Sequence, residues 1–127
     1  MDQFTKDVVQ SAYRIELADA LGGAREAITF PGRDREVVVT PDEVAEAKRN
    51  AEELISRPSV RDRLCPQLKA VSDDLGDVAK GVVGAMIPLA IGPQAVMPLS
   101  AVAFGALAVI VLRAGVKTLC PDPPAPR

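Results

Sequence analysis

The sequence predicts a mainly α-helical protein: a small helical domain with a short β-hairpin at about residues 27–40 and a hydrophobic helical hairpin near the C-terminus. Three observations support this prediction. Apolar residues recur at helical spacing along the first 20 residues, two β-prone runs flank a turn-rich stretch, and residues 81–112 contain no charged side chain. A length of 127 residues fits one core of useful size.

The first helix is predicted over Asp2–Leu21, where one face is apolar and Gly22 with Gly23 supplies a C-terminal stop. Two short runs, 27–30 and 36–40, are rich in β-prone residues, and the five residues between them, 31–35, are typical of a turn. We therefore expect a hairpin that is stable only when packed on helices. The apolar face of the first helix is formed by Phe4, Val8, Val9, Ala12, Ile15 and Leu17.

The clearest helix start is Thr40-Pro41-Asp42-Glu43, in which threonine can cap the first amides and proline suits the first helical position. This second helix is predicted to run to about Ser56. Ser59 is expected to cap a short third segment that is interrupted near Pro66. A further helix is expected to begin between Pro66 and Ser72 and to lead into the uncharged segment. Asp73, Asp74 and Asp77 are interpreted as solvated or capping residues, because their spacing differs from that of a calcium loop.

The uncharged segment from Gly81 to Leu112 is 32 residues long, which exceeds the roughly 20 apolar residues that a membrane-crossing helix needs. Pro88, Pro93 and Pro98 recur every five residues, so we expect a break near residues 91–93 and a hairpin rather than one helix. The chain thus divides into a polar helical domain (1–80), a hydrophobic membrane-inserting or core segment (81–112) and a proline-rich tail (113–127). Ala101 and Gly105 provide a small-xxx-small spacing that allows helices to approach closely.

Two interpretations of residues 81–112 remain open from the sequence. The segment either inserts into a bilayer, or forms the core or partner interface of a helical bundle. Without tryptophan or a flanking tyrosine, it lacks the usual interfacial anchors of a membrane span. In both interpretations its large apolar side chains are the candidate contact residues for lipid or for a partner: Ile87, Leu89, Val102, Phe104, Leu107, Val109 and Ile110.

Cys65 and Cys120 lie on either side of this segment, in the similar sequences LCPQ and LCPD. The interpretation favoured by the sequence is that each is a reduced, buried, small apolar residue where proline stops a helix. The alternative is a thiol pair, which forms if the hydrophobic segment turns back on itself. No secretory signal is recognisable at residues 1–7, so we expect the polar part on the cytoplasmic side of the cell membrane or, alternatively, free in the cytoplasm.

Histidine is absent, and the sequence contains no nucleophile elbow, phosphate-binding glycine loop or metal-ligand cluster. We therefore expect no enzymatic activity, no cofactor and no metal. A pI of about 5.1 and 3% aromatic residues argue against nucleic acid as a partner. The abundance of Ala, Val, Arg and Pro is typical of a GC-rich bacterial gene.

These observations lead to two hypotheses for function. In the first, the protein is a small, non-catalytic membrane-associated accessory or effector protein, with an N-terminal docking domain and a hydrophobic hairpin that perturbs the bilayer. In the second, it is a soluble helical adaptor whose hydrophobic hairpin is its core or its partner interface. A homo-oligomer is expected in both cases, because the polar remainder is short relative to the apolar surface it must cover.

Overall fold

The computed structural model describes residues 2–22, 28–31, 36–69, 71, 74–93 and 95–120. The predicted mainly helical fold with a small two-stranded antiparallel sheet is confirmed. The described elements, in chain order, are α1 (Gln3–Ala20), β1 (Ile28–Pro31), β2 (Glu36–Val39), α2 (Pro41–Ile55), α3 (Pro58–Leu68), α4 (Leu75–Ala90), α5 (Ala101–Ala114) and the single turn α6 (Val116–Leu119).

Side-chain caps fix the starts of the first two helices. The Asp2 carboxylate accepts a 2.7 Å hydrogen bond from the Thr5 amide, and this backbone hydrogen bond lowers the pKa of Asp2. The Thr40 hydroxyl accepts a hydrogen bond from the Glu43 amide at 3.2 Å, and Pro41 occupies the first turn of α2. The predicted start of α2 is therefore found at the expected residue.

The start and end of α3 differ from the prediction. Arg57, not Ser59, is the N-cap, because Pro58 already has the backbone angle that suits the first helical position. The helix also continues through Pro66 to Leu68 instead of breaking there. One proline removes a single backbone hydrogen bond, and burial of Leu64 and Leu68 on either side compensates for that loss.

The next helix, α4, starts later than the sequence suggested, at Leu75. The side chain of Asp74 caps it by accepting a 3.2 Å hydrogen bond from the amide of Asp77. The remaining member of the acidic cluster, Asp73, lies outside the described residues. Because α4 runs to Ala90 without interruption, it continues through residue 80, where the sequence placed a boundary between regions.

The two strands pair antiparallel, with Ile28 opposite Val39 and Phe30 opposite Val37. Phe30 is fully buried and Val39 is nearly so, whereas Val38 is 65% exposed. The hairpin is therefore anchored to the helices through one face, as a two-stranded sheet requires. Ala27 and most of the predicted turn, residues 32–35, lie outside the described part of the chain.

The hydrophobic segment lies at the centre of the bundle. Helix α5 packs against α1, α2 and α4, and α4 packs against α1 and α3. The side chains of the hydrophobic segment form much of the core, and the ring of Phe104 packs edge-to-face on that of Phe4 of α1, with 5.1 Å between the ring centres.

Among the described residues, no helix is both long and apolar enough to cross a bilayer, so the prediction of a transmembrane segment is not supported. The chain breaks near residues 91–93, as the prolines predicted: α4 ends at Ala90, before Ile91 and a left-handed Gly92.

Gly105 of α5 lies close to the backbone of α1. A methyl group added at Gly105 would lie 2.9 Å from the amide nitrogen of Ala12 and 2.9 Å from the Cβ of Ser11. Both atoms belong to backbone or to the base of a side chain, so neither can rotate away. Gly84 of α4 provides a contrast, since an added methyl would meet only the Gln67 side chain, at 3.6 Å.

We predict opposite effects for alanine at these two glycines. Gly105→Ala should lower the free energy of unfolding, because overpacking costs about 1–3 kcal/mol and exceeds the gain of at most about 1 kcal/mol from helix propensity. Gly84→Ala should leave that free energy unchanged or raise it by up to about 1 kcal/mol. Urea unfolding followed by circular dichroism measures both variants. An equal effect at the two positions would contradict the close α1–α5 crossing.

An ion network joins α1, α2 and α5 at one end of the bundle. Asp19 accepts hydrogen bonds from Lys48 at 2.9 Å and from Arg113 at 2.5 Å, and Arg113 also reaches Glu16 at 2.5 Å. Burial raises the pKa of Asp19, but the hydrogen bonds and positive charges of Lys48 and Arg113 outweigh burial and lower that pKa below its ordinary value of 3.8. The charged form of Asp19 is therefore favoured in the folded state.

This pKa shift predicts a pH-dependent effect of Asp19→Asn. The stabilisation is present above the unfolded pKa near 3.8 and is lost as pH falls through the lower, folded pKa. Asp19→Asn should lower the free energy of unfolding by about 1 kcal/mol at pH 7, and the difference from the original chain should shrink toward zero between pH 4 and pH 2. Urea titrations across this range measure it. A difference that stays constant with pH would contradict the network.

Candidate partner-binding groove

A surface groove of about 540 Å³ lies between α2 and the segment that connects α4 to α5. Its volume falls within the range of sites that bind ligands or peptide side chains. It is lined by Val39, Glu43, Glu46, Ala47, Asn50, Ala51, Glu53, Leu54, Arg57, Val96, Met97, Pro98, Ser100, Val102 and Ala103.

The floor of the groove is apolar and is continuous with the core. Val39, Ala51, Leu54 and Met97 are each at most 6% exposed. The wall above them is more accessible, since Val96 is 39% exposed. An occupant could therefore bury apolar surface without any rearrangement of the floor.

The connecting segment is held by backbone hydrogen bonds. The amide of Val96 donates to the carbonyl of Leu89 at 2.8 Å, and the amide of Ser100 donates to the carbonyl of Pro98 at 3.0 Å. Ser100 also caps α5, because its hydroxyl accepts from the amide of Ala103. This wall is thus formed before any ligand binds, which lowers the entropic cost of binding.

The rim of the groove is acidic. It contains three glutamates and one arginine. Glu53 forms an ion pair with Arg57, and the carboxylate of Glu43 accepts a hydrogen bond from Thr40. Glu46 makes no hydrogen bond or ion pair within the described part of the chain. The rim therefore favours a cationic group on an occupant.

The groove suits a short polypeptide segment in length. Its glutamates extend from Glu43 to Glu53 of α2, a separation of ten positions, which corresponds to about 15 Å of helix. About four or five residues of extended chain, or between two and three turns of helix, cover that distance.

The structure places the predicted interface residues in two groups. Phe104, Leu107 and Val109 are fully buried and Ile110 is 7% exposed, so these four side chains pack inside the bundle. Ile87, Leu89 and Val102 are half-buried, and of these Val102 lines the groove. Sequence reasoning missed the other groove residues, including Met97. The exposed apolar loop between Pro93 and Ser100 was the signal that could have identified this wall.

The structure brings the two cysteines together. Cys65 of α3 and Cys120, which follows α6, form a disulfide with an S–S distance of 2.01 Å, at the edge of a second pocket of about 370 Å³. The interpretation favoured by the sequence, two separate reduced thiols, does not describe this arrangement. The chain turns back on itself within residues 81–112, so α3, which precedes this segment, and α6, which follows it, lie close together.

No group of three or more acidic or cysteine side chains that could hold a metal ion is present in the described ranges. No protein-family model matches the chain, and the comparisons with curated proteins and with solved structures likewise find no match.

The placement of Val109 in the core predicts a strong effect of Val109→Asp. A carboxylate without a partner in the core should cost at least about 4 kcal/mol and unfold the whole bundle. Val38→Asp, at a 65% exposed position of β2, is the matched control and should unfold at nearly the original temperature. Thermal unfolding followed by circular dichroism measures both. A folded Val109→Asp variant would show that the core does not depend on this part of α5.

Proposed function

We propose that this protein is a non-catalytic helical adaptor that binds a short segment of another protein in the groove beside α2. The segment would carry apolar side chains for the floor and at least one lysine or arginine for the rim. The observation that carries this proposal is a preformed apolar floor beneath three glutamates, one of which, Glu46, has no partner in the described residues.

The shape of the groove supports a polypeptide rather than a small molecule. Its lining residues follow α2 from Glu43 to Leu54, above a floor of apolar side chains. Apolar anchors spaced along a helix or strand fit such a surface, and charges at its edge select the partner and its orientation.

Membrane insertion by residues 81–112 remains a prediction, but the burial of α4 and α5 counts against it. Their side chains would have to leave the core before they could contact lipid, and Phe104, Leu107 and Val109 are fully buried. The adaptor hypothesis requires no such rearrangement. Self-association also remains a prediction.

Selection from a library of random 12-residue peptides displayed on phage tests the proposal. Enriched peptides should combine apolar residues with lysine or arginine, and a synthetic consensus peptide should bind in isothermal titration calorimetry. Glu46→Gln should weaken this binding about three- to tenfold, because one charge-assisted contact is lost. Higher salt should weaken binding to the original chain more than binding to the variant.

Glu52→Gln is the matched control, since it removes the same charge from an exposed position of α2 outside the groove. It should leave the affinity unchanged. Enrichment of acidic peptides, or an equal loss of affinity in Glu46→Gln and Glu52→Gln, would overturn the proposal. A library from which no sequence is enriched would also contradict it.

A further inference from the structure

The Cys65–Cys120 disulfide borders a pocket whose chemistry is unlike that of the groove. The pocket of about 370 Å³ is lined by Pro58, Arg61, Asp62, Cys65, Lys69, Leu119 and Cys120. Two of these side chains are cationic and one is anionic, so the pocket carries a net positive charge next to a sulfur–sulfur bond. The protein as a whole has a formal net charge of −2, so this local charge is opposite to the overall charge.

Helical spacing explains why the cations flank the disulfide. Arg61 and Lys69, the C-cap of α3, precede and follow Cys65 by four residues, so each lies about one turn from Cys65 on the same side of the helix. Arg61 is also anchored, because its Nε donates a 2.6 Å hydrogen bond to the carbonyl of Ile55 at the end of α2. The positive charge is thus a fixed feature of this face.

The two cysteines that line the pocket differ in exposure. Cys120 is 6% exposed and Cys65 is half-buried, so the more exposed residue, Cys65, is the one that a molecule in the pocket meets more readily. An attacking thiolate is negatively charged, and its approach is favoured by nearby cations.

We propose that this pocket is a modification site for low-molecular-weight thiols that carry an additional negative charge, such as a carboxylate or sulfonate. The thiolate attacks Sγ of Cys65, a new sulfur–sulfur bond forms, and the Cys65–Cys120 bond breaks. Its electron pair goes to Sγ of Cys120, which takes a proton from water. A second thiolate can then attack the sulfur of the bound thiol, which releases Cys65 as a thiolate. The two small thiols leave as a symmetrical disulfide, so that two electrons pass from them to the protein.

Opening the disulfide releases the C-terminal end of the described chain. The disulfide spans a sequence separation of 55 residues, a loop that contains both α4 and α5. Helix α6 is one turn of four residues and has few contacts besides those with α3 and α5. Leu119, which is 6% exposed, lies next to Cys120 and loses this covalent anchor. This inference does not depend on the proposed binding function of the groove.

The test compares three small thiols with the full chain at low ionic strength: 2-mercaptoethanesulfonate, 2-mercaptoethanol and cysteamine. Each rate is expressed per thiolate and divided by the rate of the same thiol with bis(2-hydroxyethyl) disulfide, which cancels differences in nucleophilicity. The normalised rate of the anionic thiol should be about tenfold higher than that of the cationic thiol. The two thiolates differ by two units of charge, and each approaches one net positive charge to within several ångströms. Mass spectrometry of peptides should find the adduct on Cys65.

Two substitutions should move this preference in opposite directions. Lys69→Gln should reduce it to near unity, whereas Asp62→Asn should increase it by a similar factor, about tenfold. Lys80→Gln, at an exposed position of α4 outside this pocket, is the control and should have no effect. Equal normalised rates for the three thiols, an adduct on Cys120, or opening only by a protein dithiol would each overturn the proposal.

Discussion

The close crossing of α1 and α5 at Gly105 is the constraint on which the rest of the structure depends. The absence of a side chain allows the backbone of α5 to reach that of α1 beside Ser11 and Ala12. Small residues at a helix crossing bring large side chains on either side into contact. Phe104, next to the crossing, meets Phe4 in this way. An uncharged helix that by itself would expose apolar surface therefore becomes the centre of a bundle.

Much of the fold could be predicted because its signals are local. The cap at Thr40 and the proline–glycine break after Ala90 each depend on a few neighbouring residues, and the structure places elements where they indicate. The course of the chain through Pro66 could not be predicted in the same way. Whether a helix breaks at an internal proline depends on how much apolar surface its neighbours bury, which is a tertiary property.

The environment of residues 81–112 could not be decided from the sequence, because lipid and a protein core accept the same side chains. In the structure, α1, α2 and α3 each pack against one or both helices of this segment. The sequence indicated the groove only in part, through the apolar residues of the segment that connects α4 to α5. The glutamates of the groove lie on what the sequence shows only as a solvated helix face, and its other wall comes from residues 96–103, about 50 positions later.

The groove and the disulfide pocket meet at the junction between α2 and α3. Arg57, which lines the groove, is the N-cap of α3, and the next residue, Pro58, lines the disulfide pocket. Arg61 crosses this junction through its hydrogen bond to Ile55. Arg57 is the only cation among the residues that line the groove. The two sites therefore adjoin at a single short turn, and the net charges of their linings have opposite signs.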